Sequence, residues 1–156
     1  MPGVTETLFY HLERRTVEEV LPELLERTLE RGWRAQVCCD TVERAEVLDT
    51  LLWTYRDDSF LPHACAGDGL ASDQPILIST QSELANHPDV LFLVGGEMPV
   101  WDGPELAQLT RVVLLFDGSD TTRLAAARAA WKAADAAGHA VTYWRQNAAG
   151  KWQKQA

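Results

Sequence analysis

Short apolar runs alternate along this chain with segments whose apolar positions recur every three or four residues, a pattern of strands interleaved with helices. Thr7 to Leu12, rich in aromatic and β-favouring residues, reads as a first strand. A helix follows from Thr16, which forms a capping box with Glu19 and precedes an apolar row of Val17, Val20, Leu21, Leu24, Leu25 and Leu29 ended by Gly32. Pro22 removes one backbone donor, so this helix is expected to start later or to bend in its first turn. Ala35 to Cys39 suits a buried central strand. Thr41 opens a second helix with Ala45, Leu48, Leu52 and Tyr55 on one face, and Trp53 lies about 100° around the wheel from Leu52.

From Asp57 to Gln74 the periodicity lapses into a loop punctuated by Pro62, Gly67 and Gly69. Ile76 to Ser79 and Val90 to Val94 are two further apolar strands, followed by a Gly- and Pro-rich connection with a short helical turn at Glu105 to Leu109. The last unit is the clearest. Val112 to Phe116 reads as a strand, Asp117 and Gly118 as a turn, Ser119 to Ala137 as an alanine-rich helix capped by Asp120 or Ser119, and Val141 to Trp144 as a second strand. Asn147 to Gly150 and Trp152 then make a closing hairpin or a frayed tail. These elements predict a three-layer α/β fold: a mostly parallel, mixed sheet flanked by helices, Rossmann-like without a nucleotide site, with an antiparallel edge near the C-terminus. Residues 1–156 are expected to form a single domain.

Composition adds little to this picture, but charge changes it. Hydrophobic residues at 46% and charged residues at 24% are ordinary for a soluble globular protein. The net charge of −9 is unevenly spread. From Thr121 to Ala156 six Lys or Arg stand against the single acid Asp135, whereas the remaining 120 residues hold eight basic and twenty-two acidic ones. An acidic body argues against strong direct nucleic-acid binding, and the basic C-terminal quarter suggests a dock for something negative. No run of eighteen apolar residues marks a membrane span, and Met1 to Glu6 has no signal-peptide pattern, so a cytoplasmic location is expected. Cys38, Cys39 and Cys65 lack metal-ligand spacing and read as buried thiols.

Residues that nucleotide chemistry requires are missing. The turn after the first strand, His11-Leu12-Glu13-Arg14-Arg15, has no glycines to cradle phosphate, and Gly67-Asp68-Gly69 follows no clear strand. The four histidines are scattered without zinc spacing, and Asp117-Gly118-Ser119-Asp120 is read as a turn plus N-cap. No cofactor, metal or catalytic residue is expected. What stands out is the last helix, where Arg128, Trp131, Lys132 and Asp135 share one side. A ring flanked by two cations suits an acidic peptide that ends in a hydrophobic residue. The same spacing also fits a solvated helix face whose tryptophan packs on the sheet. Trp53 and Phe60, which bracket Arg56-Asp57-Asp58, are a second candidate interface.

The central segment resembles a known family. Leu48-Asp49-x-x-Leu52-Trp53, then after six residues Phe60-x-Pro62-His63, then Ala66-Gly67-x-Gly69, is similar to the signature of the chi subunits of bacterial DNA polymerase III holoenzyme. Phe9-Tyr10-x-Leu12, Val37-x-Cys39 and Trp131-Lys132 ahead of Gly138 support the likeness. It implies a replication accessory protein without chemistry of its own, located at the replisome. Such a protein binds the psi subunit of the clamp loader, the acidic C-terminal tail of single-stranded DNA-binding protein, and in some relatives a repair helicase. Carried over by position, the tail site falls on Arg128, Trp131 and Lys132, and Trp53 and Phe60 belong to the psi-facing surface. Two departures bear on the tail site. Leu124 stands where a basic residue is common, leaving Arg123 as its substitute, and Trp131 replaces a frequent tyrosine. The alternatives are a small nucleotide- or phosphate-dependent α/β enzyme using Asp117 and the Gly67 loop, and single-strand binding through Trp144, Arg145, Lys151 and Trp152.

Overall fold

The computed structural model describes residues 6–13, 15–54, 63–65, 75–80, 88–95, 98–99, 101–103, 106, 108–149 and 151–155. Their elements run β1 (Glu6–Leu12), α1 (Val17–Glu30), β2 (Ala35–Cys39), α2 (Val42–Thr54), β3 (His63–Cys65), β4 (Ile76–Ser79), β5 (Val90–Val94), β6 (Arg111–Asp117), α3 (Thr121–Ala136), β7 (Ala140–Gln146) and β8 (Trp152–Lys154). One sheet takes all eight strands in the order β3-β4-β2-β5-β6-β1-β7-β8. Every pairing is parallel except β7 with β8 at one edge, the mixed sheet that the sequence predicts.

Two cores follow from the alternation of side chains across the strands. On one face α1 and α2 pack Val20, Leu21, Leu25, Leu48 and Leu52 against Leu8, Val37, Phe92, Val113 and Leu115. On the other, α3 lays Ala127, Ala130 and Ala134 against Phe9, Leu91, Val112 and Leu114, and Trp101, Leu106 and Leu109 fill the rest. Alanine at the three buried positions of α3 lets the helix axis approach the sheet closely, so its larger neighbours reach over onto strand residues.

Three local details differ from the sequence expectation. The helix α1 begins at Val17 despite Pro22, because Thr16 and Glu19 form the full capping box and Pro22 itself is buried. A strand, β3, lies in the stretch read as loop and pairs in parallel with β4; three residues are too few for periodicity to reveal. The last helix starts at Thr121, since Asp120 takes the cap by accepting from Thr122 and Arg123 N–H. Cys38 and Cys39 are buried thiols, as expected, and burial pushes the Cys39 thiol up to about 11. The side chains of Cys65, His63 and His87 lie outside the described residues. Among the described residues no helix is long and apolar enough to cross a membrane.

Candidate functional site

The alternation of β1 sends Phe9 and His11 to the face covered by α3, and the parallel register with β7 sets Phe9 beside Tyr143. Trp131 reaches down from α3 onto this pair. Its indole meets Phe9 edge-on at 5.4 Å and 62°, and Tyr143 at 5.7 Å and 74°, while Phe9 and Tyr143 stack at 6.4 Å. Phe9 is fully buried, whereas Trp131 and Tyr143 each keep part of the ring exposed. Trp131 thus packs on the sheet and is only half-buried.

Arg128 and Lys132, one turn apart on α3, are exposed beside this ring and form no ion pair among the described residues. The charge of Arg128 is felt by its neighbours. Burial raises the Tyr143 pKa while Arg128 opposes the rise. The structure therefore sets Trp131 on a floor of Phe9 and Tyr143, with the charge of Arg128 close to Tyr143 and Lys132 exposed next to Trp131 along α3. It places Arg123 elsewhere: its guanidinium turns to Asp40 at 3.2 Å and Asp120 at 3.8 Å, at the end of the helix where the strands terminate.

The sequence does not single out Tyr143, and in it His11 reads only as one of four scattered histidines, at the surface or hydrogen-bonded; in the structure it is hydrogen-bonded to Tyr143. They are 132 residues apart, and only the β1–β7 register makes them neighbours; the alternation of aromatic residues in both strands was the available signal. With its proton on Nε2, toward Glu13 Oε1 at 3.2 Å, His11 accepts the Tyr143 hydroxyl on Nδ1 at 2.7 Å. Glu13 in turn accepts from the Arg145 guanidinium. Burial, then Arg145, lowers the His11 pKa from its ordinary 6.5, and Glu13 only partly opposes them.

This sets a pH dependence. A histidine that protonates less readily when folded favours the unfolded chain on acidification, so stability falls as pH drops below about 6.5, by at most about 1.4 kcal/mol per pH unit. Glu13 and Asp117, held below 4.5 and 3.8 by Arg145 and Ser119 respectively, act only at lower pH. Urea unfolding at pH 6.5 and 5.5 should show the loss in the native protein and a flatter profile in His11→Gln.

At the carboxyl ends of β1 and β6 a cavity of about 320 Å³ is lined by Glu13, Arg15, Glu18, Arg44, Asp117 and Arg123 among others. Ligands of doubly wound sheets gather in such a place. Here each cation is already committed to a carboxylate: Arg15 to Glu23, Arg44 to Glu18, Arg123 to Asp40. Asp117 accepts from the backbone and hydroxyl of Ser119, which is the turn read from sequence. Among the described residues no group of His, Cys, Asp or Glu is arranged to hold a metal.

On the opposite face of the molecule, α2 leaves Trp53 53% exposed, together with Val42 and Val47. Eleven residues separate Val42 from Trp53, three helical turns, so the two share one stripe. Phe60, the other member of this candidate surface, lies outside the described residues.

Comparison with known proteins gives a consistent result. A family model described as the DNA polymerase III chi subunit, HolC, matches residues 4–142. The chain is 31% identical over 78 residues to the DNA polymerase III subunit chi of Pseudomonas aeruginosa, covering 47% of this chain and 53% of that protein. It is 30% identical over 92 residues to the subunit of Escherichia coli, covering 54% and 63%. With the probable DNA polymerase III subunit chi of Rickettsia prowazekii the identity is 26% over 85 residues, covering 54% and 52%. The matched segments thus span about half the length of these curated relatives, or somewhat more.

Proposed function

The chain belongs to the family of DNA polymerase III chi subunits, and from that premise we propose that it is a non-catalytic adaptor of the replication machinery. In this reading one surface joins the clamp loader through a psi-type subunit, and a second grips the acidic C-terminal tail of single-stranded DNA-binding protein. The α3 notch takes the tail. Arg128 and Lys132 hold carboxylates of the incoming peptide, and the exposed part of Trp131, with Tyr143 beside it, receives a terminal hydrophobic side chain. The stripe of Val42 and Trp53 on α2 faces the psi-type subunit, and a repair helicase would use the same stripe.

One observation carries the reading. On a body of net charge −9, two cations without a carboxylate partner among the described residues flank a half-buried indole that packs edge-on against Phe9 and Tyr143. Internal acids satisfy Arg123 instead, so it supplies little of the grip.

The test is a calorimetric titration of a synthetic acidic peptide ending in Pro-Phe. Native protein should bind at about micromolar affinity, weakening with salt, and Arg128→Ala should bind about 5- to 20-fold less tightly. Equal affinities for the two proteins would reject the notch as the tail site.

A further inference from the structure

Of the twelve described cations, all but Arg34 fall into two sets. Arg15, Arg44, Arg111, Arg123 and Arg145 each hold a carboxylate. Arg27, Arg31, Arg128, Lys132, Lys151 and Lys154 form no ion pair with a described residue. Arg128 and Lys132 belong to the α3 notch. Of the other four, Arg27 lies in the last turn of α1, Arg31 caps that helix, and Lys151 and Lys154 belong to the β8 hairpin, with Lys154 opposite Trp144 in register.

Aromatic rings lie between them. Tyr10 and Trp144 are register partners on β1 and β7, and Trp152 lies opposite Gln146 on β8. Alternation puts all three on the α1 side, where Tyr10 and Trp152 pack against that core and meet edge-on at 5.0 Å. Each of the three residues is half-buried, and the indole N–H of Trp144 lies in the buried part. With strands about 4.8 Å apart, the three rings cover roughly 10 Å of sheet. Beside them Arg31 and Arg111 sit over Trp33 at 5.1 and 5.3 Å. Tyr10, Arg27, Arg31 and Arg111 also line a cavity of about 150 Å³, room enough for a phosphate group.

We propose that this face binds single-stranded nucleic acid weakly, with bases against Tyr10, Trp144 and Trp152 and backbone phosphates on Arg27, Arg31 and Lys154. Half-buried aromatic residues on adjacent strands, bordered by cations that hold no carboxylate among the described residues, are the combination that takes bases by stacking and phosphates by charge. An acidic peptide would use the cations and leave most of the aromatic surface idle. A duplex has its bases already stacked, and its denser charge meets the repulsion of an acidic protein. Glu6, paired with Arg111, and Glu30, next to Arg31 in sequence, further limit the affinity. The site is independent of the α3 notch, and neither needs the other.

Fluorescence anisotropy with a labelled oligothymidylate of about 20 nucleotides, an oligouridylate of equal length and a DNA duplex tests the proposal. At low salt the thymidylate should bind with a dissociation constant of about tens of micromolar and weaken as salt is raised. Trp152→Ala, and separately the double variant Arg27→Gln with Arg31→Gln, which leaves the rings untouched, should each weaken it about 5-fold or more, whereas Arg128→Ala should not. The uridylate arm decides between DNA and RNA, and binding of either through these residues supports the site. Four results would overturn it: no saturable binding at low salt, loss with Arg128→Ala but not with these variants, tighter binding of the duplex, or displacement of the thymidylate by a polyglutamate peptide at equal charge.

Discussion

Gly118→Ala should lower the stability of the protein by about 2–3 kcal/mol, an effect of overpacking with no loss of any side chain. A Cβ at this position would overlap the imidazole of His11. Neither side can yield. The Gly118 N–H donates to the Leu12 carbonyl at 2.8 Å, which pins the turn. His11 is held by the Tyr143 hydroxyl and packed edge-on against Phe116 at 5.2 Å. The conflict is local, so a double-mutant cycle resolves it. Adding His11→Ala to Gly118→Ala should recover most of the cost, with a coupling of about 1–2 kcal/mol in urea unfolding, whereas additive losses would show that the ring is not what the methyl group meets.

Phe9→Ala should cost more, about 3–5 kcal/mol, because the ring is fully buried at the centre of β1 between two paired strands. It should also damage binding out of proportion to stability. Phe9 is the floor on which Trp131 and Tyr143 rest, so its loss frees the indole to turn into the cavity and removes the surface that a peptide would meet. Phe9→Leu keeps much of the volume and should retain most of both properties. If Phe9→Ala, measured well below its melting temperature, bound the acidic peptide as tightly as native protein, the floor would have no part in the grip.

The elements were legible in the sequence because both periodicities are strong, and the parallel sheet followed from their alternation. Strand β3 was not, since three residues carry no period and nothing nearby announces a strand. At the site, the helix spacing of Arg128, Trp131 and Lys132 could be read directly, because one helix brings them together. His11, Phe9 and Tyr143 could not be assembled that way. Their proximity depends on β1 and β7 being neighbours in register, a non-local fact that hydrophobic pattern leaves open. Arg123 shows the converse: its position on α3 is close to the trio in sequence, yet Asp40, from the end of β2, draws it away. Trp144 and Trp152 of the aromatic face were legible in the sequence as a single-strand site with Arg145 and Lys151; Tyr10, Arg27 and Arg31 were not, because only the sheet order and the packing of α1 bring them to those rings, and Arg145 is taken by Glu13.

The central claim is that this acidic body keeps one cationic, indole-backed notch on α3 for the end of another polypeptide. Nuclear magnetic resonance of the six tryptophan indole N–H signals tests it most directly, because each residue reports on its own surface. On titration with the acidic, phenylalanine-ended peptide, the Trp131 signal should shift first and saturably, while those of Trp53, Trp144 and Trp152 stay in place. A shift at any of those three with Trp131 unmoved would contradict the account.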